Sequence, residues 1–377
     1  MKKKYFYYIL FGVGLAATID YNGLNNSTTK VIAMACFALL FLMAARTKDK
    51  RRSHVFMPIF IWYLLACVIN AVYAFLFNRE VDVVNQEILL PLMVAFSSYT
   101  LFNLDREKFR LFFLPICAFS VYSGVKTVSQ SLGSLVLVQG EELEFAKNQM
   151  GANYASIAII CAVFATEGQK VVLKLSYLAL SLLNMLPVVL LSCRTAVVGY
   201  ALVVFVLIYE RYKMKSVLLV PFLLLILFFI GGDNLLTTLN DSFVAGRDVD
   251  DADSISSGRV TRILESFDYY LSHPLFGFYG SGDGYNIMPQ NVHMFLLYKL
   301  TKWGTVGAIP FLALYFYFFK IAIKSAKEKN VLVASLLFLA FFESLGEYAP
   351  PFGPGSCFLT MFFLVGIYLK TNNKVRS

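Results

Sequence analysis

The chain is 377 residues long, 58% hydrophobic and only 15% charged, with a mean hydropathy of +0.65. Soluble domains carry about 25% charged residues, so this composition excludes a soluble globular protein and leaves no stretch long enough for a second domain with its own core. The net charge of +9 would fit a nucleic-acid binder if it formed a patch. The basic residues lie instead in short loops, which is a topology signal, and no nucleic-acid partner is expected.

Apolar runs separated by polar breaks define about 12 spans, with cores at 5–19, 31–45, 56–77, 88–102, 109–125, 152–166, 171–191, 195–209, 216–231, 291–320, 331–345 and 356–370. Several are nearer 15 than the ~20 residues of a full span, and flanking Tyr, Lys and Arg make up the difference by snorkelling. The MKKK start and the run to Ile19 read as a retained first helix rather than a cleaved leader. With the N-terminus inside, the loops at 46–55, 103–108, 167–170, 210–215 and 321–330 and both termini are cytoplasmic. That side takes 23 of the 33 Lys and Arg and six of the 24 acids. The asymmetry predicts an even number of spans and a multi-pass inner-membrane protein with cytoplasmic termini.

On the external side, 20–30 and 78–87 are short, and 126–150 is a longer loop ending KNQMGANY. The main external loop, 232–290, begins with an acidic segment (Asp233, Asp241, Asp248, Asp250, Asp251, Asp253) that lacks the glycine and terminal glutamate of a calcium loop. Within it Val260, Ile263, Leu264, Phe267, Tyr270 and Leu271 recur at helical spacing, which predicts an amphipathic helix on the membrane surface. His273-Pro274 ends that helix. The chain is thus expected to form one all-α transmembrane domain over 1–377 with 232–290 inserted between spans.

Candidate chemistry gathers on the external side. Arg259 and Arg262, three apart near a helix start, share a face and suit an anion, or else pair with Glu265, Asp268 or lipid head groups. Arg194, in SCRTAVVGY, stands at the external boundary of a span. Three arginines on an otherwise acidic surface have the makings of a diphosphate clamp. His293 lies at the mouth of a span, where a neutral imidazole can act as base. Asp283 and Tyr285 among glycines, Asn153 and Glu347 are candidate sugar contacts. Asn148 and Asn153 also read as helix caps, and Glu343 and Glu347, at the external end of 331–345, as groups that orient a base or sugar or else face water. The six cysteines make no CxxC pair and no metal-ligand spacing, and neither a metal nor another cofactor is expected.

SCRTAVVGY, SGR, SHPLFG and VHMFLLYKLTKWGTVG, in that order, resemble the O-antigen polymerase and O-antigen ligase superfamily, with GANYASI (151–157) a weaker echo. The resemblance implies a GT-C-like bundle and inverting transfer, without metal or nucleotide, of a glycan from undecaprenyl diphosphate to a sugar hydroxyl outside the cytoplasmic membrane. It assigns Arg194 and Arg259 to the family arginines and His293 to its histidine, while Arg262 is added from helix spacing alone. Cys193 and Met294 stand where the family usually has a small hydroxyl residue and an asparagine. A chain-length regulator is the implied protein partner, beside lipid-linked glycans and membrane lipids. Nine acids against three arginines in 232–290 favour a polymerase over a ligase, whose lipopolysaccharide-core acceptor is rich in phosphate. A transporter or flippase is the alternative of another class.

Overall fold

The computed structural model describes residues 2–19, 27–47, 50–78, 86–103, 106–134, 141–167, 170–191, 193–213, 259–281, 292, 294–347, 351–352 and 358–375. The expected span at 216–231 and the acidic segment at 232–253 lie outside them. Among the described residues every regular element is a helix: α1 (Lys2–Ile19), α2 (Ser27–Ala45), α3 (Lys50–Phe77), α4 (Gln86–Leu101), α5 (Arg106–Ser134), α6 (Glu141–Glu167), α7 (Val171–Leu190), α8 (Arg194–Tyr212), α9 (Arg259–Ser272), α10 (Gly277–Ser281), α11 (Phe295–Lys327), α12 (Val331–Glu343) and α13 (Leu359–Val375).

Five stretches, in α3, α5, α6, α7 and α11, are long and apolar enough to cross a membrane, and α1, α2, α4, α12 and α13 carry shorter apolar runs. These are the helices of a membrane-embedded protein. Helices α4, α6 and α13 form the interior, since nearly every described side chain in them is buried. Close approach there depends on small residues rather than on hydrophobicity, which drives little between helices in lipid. Gly366 of α13 lies directly against Ser98 and the Ala95 carbonyl of α4, leaving no room for a Cβ. Helices α3 and α7 instead present apolar faces outward, with Phe75, Leu76, Val172 and Leu182 among the most exposed side chains. That is where lipid would lie.

Two sequence expectations need correction. The 126–150 segment is not a loop throughout, because α5 continues to Ser134 and α6 begins at Glu141. Glu, Leu, Ala, Lys, Gln and Met are strong helix formers, and EELEFAKNQM extends the helix beyond its apolar core. The apolar run at 291–320 is not one straight helix either. Gly304 has φ +64° and ψ −178° inside α11, so the helix breaks there.

The break is built by the preceding loop. Thr305 and Val306 would normally donate their N–H groups within the helix. They donate instead to the carbonyls of Pro274 (2.8 Å) and Leu275 (3.1 Å). The Trp303 carbonyl accepts from the Tyr73 hydroxyl at 2.7 Å. Gly277, also at positive φ (+60°), packs backbone to backbone against Gly304. Freed polar groups are thus satisfied inside the protein, the condition for irregular backbone at a membrane. Beyond the break, Thr305–Lys327 is 23 residues, or about 34 Å of helix, enough for the ~30 Å hydrocarbon core by itself. Phe295–Trp303 therefore belongs with α9 and α10 in a layer at the mouth of the bundle.

Helix α9 confirms the expected stop, ending at Ser272 beside His273-Pro274. Its faces are divided cleanly. Val260, Leu264, Phe267 and Leu271 are exposed, while Ser266 and Tyr269 are buried and Arg259 and Arg262 half-buried. The apolar stripe points away from the protein beside the exposed acids Glu265 and Asp268, while the two arginines lie on the inward side, as for a helix resting at a membrane surface.

Candidate functional site

Four helix ends meet at one place. Arg259, the first residue of α9, donates from Nη1 to Thr195 Oγ1 (3.2 Å) and from Nη2 to Glu347 Oε1 (2.9 Å). Thr195 follows Arg194 at the start of α8, and Glu347 follows the end of α12. The N–H of Phe295, which opens α11, donates to Ser344 O (3.0 Å) in the turn before Glu347. That turn is held by Gly346 and Glu347 N–H groups donating to Glu343 O at 3.0 and 2.8 Å. A Cβ on Gly346 would sit 3.1 Å from Thr195 Oγ1 and 3.4 Å from Arg259 Nη1. The site is therefore tight around the guanidinium.

Packing below explains the convergence. Gly199 of α8 lies against Leu339 and Phe342 of α12, and Gly151 of α6 lies against Cys193. The GANYASI and SCRTAVVGY segments thus touch through a glycine and a cysteine. Cys193 is the N-cap of α8 and makes no side-chain cap bond, as expected of a thiol where Ser or Thr would cap. On the α9 side, Ser266 Oγ donates to Arg262 O (2.6 Å) and Ser266 O accepts from Thr301 Oγ1 (3.1 Å), so α9 is registered on the first segment of α11.

The electrostatics are unusual for helix ends. Arg194 and Arg259 are both the first residue of a helix, where the macrodipole disfavours a cation by about 0.3–1 kcal/mol each. The Arg259 guanidinium and the N-terminal ends of α8 and α9 meet in one region, and together they favour an anion. Glu347 answers part of that charge. The Arg259–Glu347 pair is largely withdrawn from solvent, with side chains 22% and 13% exposed. Instead of Glu265 or Asp268, the alternative partners in its own helix, Arg259 pairs with a residue 88 positions away. Each terminal nitrogen of Arg259 carries two N–H groups, and one contact on each leaves a second donor available.

Two charged residues are buried among those described: Glu343, already a weaker candidate from the sequence, and Lys299, which the sequence does not single out. Glu343 does not face water: it is 2% exposed, and its Oε1 has no hydrogen-bond partner among the described residues. Lys299 places Nζ over the rings of Phe295, Tyr298 and Phe311 at 5.4, 5.2 and 4.8 Å. Lys302 Nζ donates to Tyr298 Oη at 2.8 Å. The signal for both lysines was present as KLTK inside an apolar run, an i, i+3 cationic pair with no acid nearby in sequence.

Of the residues expected to act, Arg259 and Glu347 are in contact, and Arg194 opens the helix whose second residue, Thr195, bonds Arg259. Arg262 sits one turn along the same inward face of α9. Asn153 lies well inside α6 and is buried, so it is not a helix cap; it is two residues from the Gly151–Cys193 contact. His293, Asp283 and Tyr285 lie outside the described residues, although Phe295, two residues beyond His293, is fixed at this mouth. No protein-family model matches the chain, and no curated protein matches it.

Proposed function

We propose that this protein is a membrane glycosyltransferase that extends a glycan carried on undecaprenyl diphosphate, acting as a polymerase at the external face of a bacterial inner membrane. The observation that carries the reading is the position of Arg259, half-buried between the start of α8 and the end of α12. In this reading Arg194 and Arg259, with Arg262 assisting, hold the carrier diphosphate while its lipid tail stays in the bilayer. The acceptor hydroxyl attacks the anomeric carbon, the bond from that carbon to the diphosphate oxygen breaks, and the leaving diphosphate keeps the electron pair. His293 takes the hydroxyl proton. Charge grows on the diphosphate as the bond lengthens, so fixed guanidinium groups in a poorly hydrated site favour the transition state over the ground state. Transfer then needs neither a metal nor a nucleotide. Sugar contacts fall to Asp283, Tyr285, Asn153 and Glu347, and a chain-length regulator is the proposed partner. The GT-C-like architecture and the count of 12 spans belong to the same proposal.

The test is elongation of a lipid-linked oligosaccharide by purified protein in liposomes. Arg194→Ala, Arg259→Ala and His293→Ala should each slow it by on the order of 10²–10³. Wild-type rates in all three would remove the enzymatic reading. A ligase would instead pass finished polymer to lipid A core, and the acidic balance of 232–290 disfavours that acceptor. The transporter alternative gains from two observations, the helix broken at Gly304 and the buried carboxyl of Glu343, both frequent in transporters. It predicts movement of a lipid-linked glycan or small solute across the liposome membrane with no elongation.

A further inference from the structure

A carboxyl group withdrawn from water needs partners for its oxygens, and native interiors rarely leave such an atom bare. Glu343 breaks that rule among the described residues. It is 2% exposed, and Oε1 meets no donor there. Its surroundings are not short of polar atoms. Ser344 Oγ, next in sequence, donates to Phe341 O (2.6 Å) and is paired with Tyr315 Oη (2.8 Å). The neighbouring turn is closed by its own backbone bonds, and Glu347 is committed to Arg259. Among the described residues these groups have their partners, and the Glu343 oxygen left over is an acceptor.

Position decides what that acceptor is for. Glu343 is the last residue of α12, one turn before Glu347 and close enough to feel its charge. Its carbonyl accepts from the Glu347 N–H (2.8 Å), and Glu347 holds the guanidinium assigned above to the carrier diphosphate. A carboxyl group has no positive charge with which to hold a second anion. A buried carboxyl oxygen in the turn that carries Glu347 suits a neutral ligand with O–H donors. Sugar hydroxyl groups and water share that chemistry.

We propose that Glu343 is an acceptor-binding residue, its buried carboxyl taking a hydrogen bond from a hydroxyl group of the incoming saccharide beside the Arg259 site. This rests on the glycosyl-transfer reading. Glu343 orients the hydroxyl, and the proton still leaves to His293. An apolar side chain of similar size would relieve an unsatisfied carboxyl at no packing cost, so the residue is kept at the expense of stability.

The experiment uses full-length protein in liposomes, with a lipid-linked oligosaccharide for elongation and undecaprenyl diphosphate as the binding probe. Glu343→Leu should lose on the order of 10²-fold in elongation, bind undecaprenyl diphosphate as the wild type does, and melt at the same temperature or higher. Glu343→Gln keeps a neutral acceptor of the same shape, and should lose about tenfold with carrier binding unchanged; it decides the matter if the leucine variant does not fold. Wild-type elongation in the glutamine and leucine variants would overturn the proposal and leave a trapped water as the partner of Oε1. Loss of carrier binding in Glu343→Gln, as in Arg259→Gln, would also overturn it, by placing Glu343 with the diphosphate. If wild type and Arg259→Gln elongate alike, the glycosyl-transfer reading itself fails and this inference falls with it. If Arg259→Gln alone is impaired, only the role of Glu343 is refuted.

Discussion

Replacing Gly304 by alanine tests whether the break in α11 is a built feature. At φ +64° and ψ −178° the residue occupies backbone space that is essentially reserved for glycine, and holding another residue there costs about 1–3 kcal/mol. The added Cβ would also lie 2.5 Å from Gly277 N and equally close to the Leu275 carbonyl. These are backbone atoms that no rotamer change can move. Relief requires the two segments to part, and that lengthens the bonds from Thr305 and Val306 to Pro274 and Leu275, each worth about 1 kcal/mol net. The sum is roughly 3–5 kcal/mol, or a fall of about 5 °C in Tm for a chain of this size. Gly307→Ala is the control. Its Cβ would meet Trp303 Cβ (2.8 Å) and Tyr73 Oη (3.0 Å), but Gly307 is not at positive φ, so it shares the crowding without the backbone strain and its cost should be smaller. Because Tyr270 Oη and Thr305 Oγ1 are 2.9 Å apart across the same junction, Gly304→Ala should also displace α9 and lower any activity that depends on Arg259. The assay is the fraction of monodisperse protein left after heating in detergent. Equal melting of Gly304→Ala and wild type, or an equal penalty in Gly307→Ala, would refute the conformational argument.

Two further outcomes are expected. A Cβ on Gly151 would fall 2.6 Å from Cys193 Cβ and 2.7 Å from its Sγ, so Gly151→Ala should destabilise the chain. Cys193→Gly should restore part of the loss, with a coupling of about 0.5–3 kcal/mol in a double-mutant cycle; additive losses would mean the two residues do not press on each other. At the opposite end of the bundle, the hydroxyl of Tyr368, followed by Asn372 and Lys324, holds the Glu328 carboxyl below its ordinary value of 4.5. A depressed carboxylate stabilises the fold above its unfolded pKa, and the contribution disappears as pH falls through the folded value. Tyr368→Phe should therefore melt lower than wild type near neutrality and converge with it in acid below about pH 4; a gap that is the same at both pH values would contradict the linkage.

The spans were legible because hydropathy is a property of each residue. Runs at 31–45, 171–191 and 331–345 became Ser27–Ala45, Val171–Leu190 and Val331–Glu343 without any knowledge of neighbours. What escaped depends on partners distant in sequence. Gly304 is unremarkable in a helix until Gly277 and the Pro274 carbonyl are brought against it. Glu343, at the end of a span, reads as open to water until the turn after α12 buries it. The three arginines were placed on one side by counting loop charges, but counting could not place a carboxylate among them. Arg259 meets Thr195 and Glu347 across 64 and 88 residues. That pairing changes the energetics of the proposed clamp. A bare guanidinium cluster at the edge of a low-dielectric region would repel itself and cost stability. Glu347 offsets that cost while the site is empty, and a diphosphate must then displace or share it. In the proposed reading the affinity of the clamp is thus lower than unopposed arginines would provide, which would suit release of a spent carrier after each transfer.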